Sequence, residues 1–118
     1  MRESKAFRLF QEEFGRYQKL FQLDNYIICF EYEPLDETVF SNITINQESM
    51  VATVRFNSKL ARHLKSHRNL RYAAKHEAIH LLLGRLGDYG RSRYTTEQDM
   101  CEATEELNNK LMFLVKEE

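Results

Sequence analysis

The 118-residue chain has two cysteines, one proline, four glycines and no tryptophan, and 17 Lys and Arg nearly balance 18 Asp and Glu. Cys29 and Cys101 lack CxxC spacing, which excludes a disulfide scaffold and predicts a cytoplasmic location with both thiols buried. A net charge of −1 lacks the excess of Lys and Arg that phosphate binding needs, which argues against a nucleic-acid partner. Because no apolar run reaches roughly 20 residues, we expect no membrane association through a spanning helix.

With 42% apolar and 12% aromatic residues, the chain suits a single domain over residues 1–118. Hydrophobic periodicity and turn residues predict an N-terminal helix, a small sheet and C-terminal helices, in an α+β arrangement with helices on one face of a mainly antiparallel sheet. The predicted elements are a helix over 3–22, strands over 26–33, 39–46 and 50–56, a short helix from Asn57 or Ser58 to about Lys65, a helix beginning near Asn69, and a last helix over about 96–115.

The pattern that carries chemistry is His76-Glu77-Ala78-Ile79-His80, which matches H-E-x-x-H within the helix that begins near Asn69. Four-residue spacing places both imidazoles on one helix face, where they can bind one Zn²⁺. Glu77 lies one step around the helix and can act as a general base on a water activated by the metal. The apolar neighbours of the motif predict that this helix, with its histidines, is buried.

A catalytic zinc needs a third protein ligand, and no histidine follows His80. The third ligand must therefore be a carboxylate. Asp88 is one candidate, but the last helix is richer in acidic residues, and helix geometry leaves Glu102, Glu105 and Glu106 open.

A second histidine pair, His63 and His67, also has four-residue spacing, but Leu64 stands where a general base would be. Its neighbours include Arg62, Lys65 and Arg68, so we interpret this segment as a solvated basic helix face.

The segment KHEAIHLLLGRL, a spacer ending in RY, and EATEELNNKL resemble the zincin metallopeptidases of the gluzincin type. The likeness covers about residues 50–115 and is greatest to the minigluzincins and to small metallopeptidases of phages and prophages. It implies a zincin-like fold, one Zn²⁺ per chain, and Glu105 as the third ligand with Glu102 as the alternative.

The same resemblance implies an edge strand that binds an extended peptide, for which 50–56 is the candidate, and an oxyanion stabiliser in the spacer. Tyr89, Arg93 and Tyr94 are the candidates for that stabiliser, and Tyr94 is preferred.

The sequence thus predicts a zinc-dependent endopeptidase that acts on peptide or protein substrates. Its alternative is a zincin-like zinc-binding module that acts through protein partners without appreciable turnover. A DNA-associated factor is a third interpretation, which the balanced charge disfavours.

Overall fold

The computed structural model describes residues 4–91 and 94–114. Over these residues the chain forms α1 (Lys5–Leu20), β1 (Ile27–Glu33), β2 (Ser41–Asn46), β3 (Val51–Asn57), a 3-10 turn (Arg62–Leu64), α2 (His67–Arg91) and α3 (Glu97–Leu114). The predicted α+β class is confirmed. In this part of the chain, no helix combines the length and the apolar character that a bilayer span requires.

The core lies between α1, α2 and one face of the sheet. Ser4 caps α1, because its hydroxyl accepts hydrogen bonds from the amides of Ala6 and Phe7. An aromatic stripe at steps of three and four residues then faces the sheet and is buried, as the periodicity predicts. The stripe consists of Phe7, Phe10, Phe14, Tyr17 and Phe21, and its rings pack edge-on or tilted against Phe30 and Phe56 of the sheet.

The sheet is mixed, which corrects the expectation of a mainly antiparallel one. Its strand order is β1-β3-β2, and β3 pairs with β1 in parallel and with β2 in antiparallel orientation. The chain does not turn back from β1 into β2. Instead, residues 34–40 carry the chain past the end of β3, so that β3 becomes the central strand and β2 an edge.

Asn57, at the end of β3, holds that connection in place. Its buried side chain donates hydrogen bonds to the carbonyls of Asp36 and Val39, and accepts hydrogen bonds from the amides of Leu35 and Lys59. The predicted short helix beginning at Asn57 or Ser58 is therefore wrong, because Asn57 belongs to the sheet and only Arg62–Leu64 form a helical turn.

Helix α2 begins at His67, close to the predicted start, and continues to Arg91, so that Gly84, Gly87 and Gly90 lie inside it. At Gly84 the absence of a side chain matters, because a Cβ there would lie 2.6 Å from Gln47 Nε2. The glycine thus lets α2 approach β2 closely.

Both cysteines are free and exposed, contrary to the predicted burial. Cys29 lies on the outer face of β1, and Cys101 lies on α3 away from Ala103, which is buried.

Candidate functional site

The buried face of α2 determines where the motif residues lie. Apolar positions recur on this face at steps of three and four, and Glu77 occurs among them with only 4% of its surface exposed. The buried residues of α2 are Leu70, Ala73, Ala74, Glu77, Ala78, Leu81 and Leu82. His76 and His80 lie beside this stripe and are exposed, so the predicted burial of the histidines is wrong, whereas that of the helix is right.

The two imidazoles converge. Their Nε2 atoms are 3.1 Å apart, and the rings meet edge to face with centroids separated by 4.7 Å. Tyr72, one turn earlier, stacks against His76 at a centroid distance of 6.3 Å. Two nitrogens that each bind a tetrahedral Zn²⁺ at about 2.0–2.1 Å stand roughly 3.3 Å apart. The histidine pair therefore fits two positions of a zinc site.

Glu77 is held by a neighbour on the sheet. The Ser41 hydroxyl, at the first residue of β2, donates a 2.6 Å hydrogen bond to Oε2 of Glu77. A buried carboxylate is costly unless it is hydrogen-bonded, and this bond supplies a partner. The general-base candidate is thus positioned beside the histidine pair by both α2 and β2.

The acidic residues of α3 do not join the pair in the described structure. Glu102, Glu105 and Glu106 are exposed, and within residues 4–91 and 94–114 no group of three His, Cys, Asp or Glu side chains is close enough to bind a metal. Glu106 pairs with Arg85 and Lys110, at 3.5 Å each.

The Arg85–Glu106 contact shows where α3 lies along α2. Arg85 follows His80 by five residues, and an α-helix rises roughly 1.5 Å per residue. Glu106 therefore contacts α2 about 7.5 Å beyond His80 along the helix axis. Glu106 also lines a 620 Å³ cavity with Leu81 and Tyr26, whereas His76 and His80 border other hollows. Asp88 does share a hollow with His80.

The described candidates for an oxyanion stabiliser, Tyr89 and Tyr94, are not among the residues that line the hollows beside His76 and His80. Tyr94 is 80% exposed at the start of the segment leading to α3. The Tyr89 hydroxyl accepts a hydrogen bond from Nε of Arg85 beside the 620 Å³ cavity, and this contact raises the pKa of Arg85. Arg93 lies outside the described residues.

The basic segment before and at the start of α2 is largely exposed, as predicted, but it is not one helix face, because His63 lies in the 3-10 turn and His67 begins α2. Arg62, His63, His67 and Arg68 are exposed. Arg71 forms a 2.9 Å ion pair with Glu13 of α1.

The segment expected to form an edge strand does not lie at an edge of the sheet. Segment 50–56 corresponds to β3, which is paired on both sides and has no free edge. Strand β2 ends the sheet among the described residues and lies next to α2. Two hollows border β2. The one of 470 Å³ is lined in part by His76, and the one of 300 Å³ is lined in part by His80.

Sequence reasoning missed Ser41 and Tyr72. Tyr72 could have been found, because it precedes His76 by one helical turn. No sequence signal identifies Ser41, whose contact with Glu77 joins residues 36 positions apart.

Comparison of the chain with protein-family models, curated proteins and solved structures finds no match. The functional interpretation therefore depends on the residues of this site.

Proposed function

We propose that the chain is a zinc-dependent metallopeptidase. The observation that carries the proposal is Glu77, a buried carboxylate that is held by Ser41 and lines one hollow with His76, whose imidazole converges with that of His80. A purely structural zinc site is closed by four protein ligands and has no role for such a carboxylate.

In this proposal His76 and His80 bind the metal, and Glu105 is the third ligand, with Glu102 as the alternative. When bound, Zn²⁺ polarises the scissile carbonyl and lowers the pKa of water toward about 7. Glu77 takes a proton from the attacking water as its oxygen bonds to the carbonyl carbon. The carbon–nitrogen bond then breaks, and Glu77 returns the proton to the leaving amine.

The edge of β2 suits an extended peptide substrate. An added strand would hydrogen-bond to the backbone of β2 and lie beside the histidine pair. The hollow beside His76 is lined by Val39, Phe40, Leu64, Tyr72 and Ala73, among others, so it would accept apolar or aromatic side chains. We therefore propose peptides or unfolded protein segments as substrates. The free thiols of Cys29 and Cys101 are compatible with the cytoplasmic location in the proposal.

The test combines metal content with turnover. Protein purified without added metal is analysed for bound elements, and cleavage of a fluorogenic peptide library is followed, for wild type, His80→Ala, Glu77→Gln, Glu102→Gln and Glu105→Gln. We expect one zinc per chain in wild type, its loss in His80→Ala, and its loss in one of the two α3 variants, which identifies the third ligand. Glu77→Gln keeps zinc but loses about 100- to 10,000-fold in kcat.

Other results are equally decisive. Zinc in wild type without any cleavage would favour the zinc-binding module without turnover. A wild type that takes up no zinc even when zinc is supplied would contradict both functions.

A further inference from the structure

We infer that Ser41 is a positioning residue, which fixes the orientation of the Glu77 carboxylate for proton transfer. The inference deepens the proposed function and rests on it, since it concerns the residue that the proposal makes the general base.

The hydrogen bond itself is the first observation. The Ser41 hydroxyl lies 2.6 Å from Oε2 of Glu77, within the range of a well-formed O–H···O hydrogen bond. Asn57 and Glu77 are the polar residues that are buried in the described part of the chain, and Ser41 supplies the hydrogen bond that the structure shows for Glu77. Ser41 and Glu77 both line the 470 Å³ hollow beside His76, although only 4% of the surface of Glu77 is exposed.

The second observation is that Ser41 is itself fixed. Its Cα pairs with that of Phe56 in the β2–β3 ladder, and the preceding Phe40 packs edge-on against the Phe56 ring at 5.6 Å. The Phe40 carbonyl accepts a hydrogen bond from the Asn57 amide. The Asn57 side chain also donates hydrogen bonds to the carbonyls of Asp36 and Val39, in the loop that precedes Phe40. The backbone of Ser41 is therefore held in place, so its hydroxyl can follow the carboxylate only by rotation about one side-chain bond.

These contacts assign different tasks to the two carboxylate oxygens. Ser41 engages Oε2, which leaves Oε1 to accept the proton from water. Without the hydroxyl, the carboxylate can rotate about its side-chain bonds, and its productive orientation becomes one of several. Misorientation of this kind lowers the rate of the chemical step, whereas the metal ligands and the β2 edge are unchanged.

The experiment compares Ser41→Ala, Ser41→Thr and Ser49→Ala with wild type in zinc content and peptide cleavage. Ser49→Ala is the matched control, because it removes an exposed hydroxyl from the β2–β3 turn. We expect Ser41→Ala to lower kcat by about 10- to 100-fold while KM and zinc content stay within about twofold. Ser41→Thr keeps a hydroxyl and restores kcat to within about threefold of wild type, and Ser49→Ala equals wild type.

A metal-free measurement accompanies turnover. In zinc-free protein, Ser41→Ala leaves a buried carboxylate without its donor, so we expect the Tm to fall by about 5 °C. In the Glu77→Ala background, the same substitution shifts the Tm by less than about 2 °C, because the carboxylate is gone.

The results separate this inference from the proposed function. An active wild type whose kcat is unaffected by Ser41→Ala overturns the inference and leaves the proposed function standing. Equal Tm shifts in the two backgrounds also overturn it, because Ser41 would then stabilise the fold without acting through Glu77. An inactive wild type contradicts the proposed function, and with it the catalytic role of Ser41.

Discussion

The body formed by α1, α2 and the sheet buries many large side chains, whereas α3 buries only Ala103 among its described side chains. Phe10, Phe14 and Phe56 are fully buried between helix and sheet. On α3, Met100 and Leu107 are half-buried, and Leu111 is 39% exposed. The two regions therefore differ in how firmly tertiary packing holds them.

The candidate site is divided between these regions. The well-packed body contains His76, His80, Glu77 and Ser41. Within it the two imidazoles are in contact, and Ser41 is hydrogen-bonded to Glu77. The acidic residues proposed as third ligand belong to α3 and remain at its surface. The comparison indicates that the core fixes His76, His80 and Glu77, whereas the proposed third ligand belongs to a helix whose described side chains bury little surface.

Phe14→Ala should have the largest effect on stability. Removing a fully buried ring that packs edge-on against Phe30 leaves a cavity, and we expect a loss of about 3–5 kcal/mol in the free energy of unfolding. Leu111→Ala, on α3, is the matched truncation and should cost less than about 1 kcal/mol, since its side chain is 39% exposed. Urea denaturation measures both, and equal losses would show that α3 is packed as firmly as α1.

Ala103→Asp should separate α3 from the body. The substitution places a charge at the buried position of α3, and we expect a loss of about 1–3 kcal/mol with faster proteolysis between residues 91 and 97. Thr104→Asp, at the exposed neighbouring position, is the control and should resist proteolysis like wild type.

Zinc affinity in the same variants sharpens the comparison. If α3 supplies the third ligand, Ala103→Asp weakens zinc binding although His76 and His80 are untouched. Unchanged zinc affinity in Ala103→Asp would instead show that the third ligand does not come from α3. The remaining acidic candidate is then Asp88, which shares a hollow with His80.

Elements with a strong period were predictable from the sequence. The aromatic stripe of α1 predicts which face of that helix is buried, and the structure confirms it. For α2 the predicted burial of the helix is confirmed, but the sequence did not predict which of its faces is buried. Strand pairing was not predictable to the same extent, because the place of β3 between β1 and β2 depends on Asn57 and its contacts with residues 35–39. A buried asparagine that binds a loop leaves no periodic signal.

The site shows the same limit. H-E-x-x-H spacing alone predicts that His76 and His80 share a helix face, and their Nε2 atoms do converge. The predicted burial of the histidines is wrong, because the buried stripe passes through residue 77 rather than through residues 76 and 80. Long-range partners such as Ser41 require the fold.

The smallest expected effect concerns Tyr26, which lines the 620 Å³ cavity between the body and α3. Its hydroxyl donates a 2.6 Å hydrogen bond to Gln47 Oε1, and burial raises the pKa of the phenol. Because the folded chain then holds this proton more tightly than the unfolded chain, the stabilisation is complete below the unfolded pKa of about 10 and is lost as pH rises through the folded pKa.

We therefore expect the free energy of unfolding to decline above about pH 10, and Tyr26→Phe to show a smaller decline. At neutral pH the variant should lose about 1 kcal/mol, since Gln47 loses its donor. Urea denaturation across this pH range measures the effect, and the difference in tyrosinate absorbance between the two proteins gives the pKa of Tyr26. A difference titration centred at or below pH 10 would mean that water enters the cavity freely, and that α3 shields this side of the body even less than the one buried alanine among its described side chains suggests.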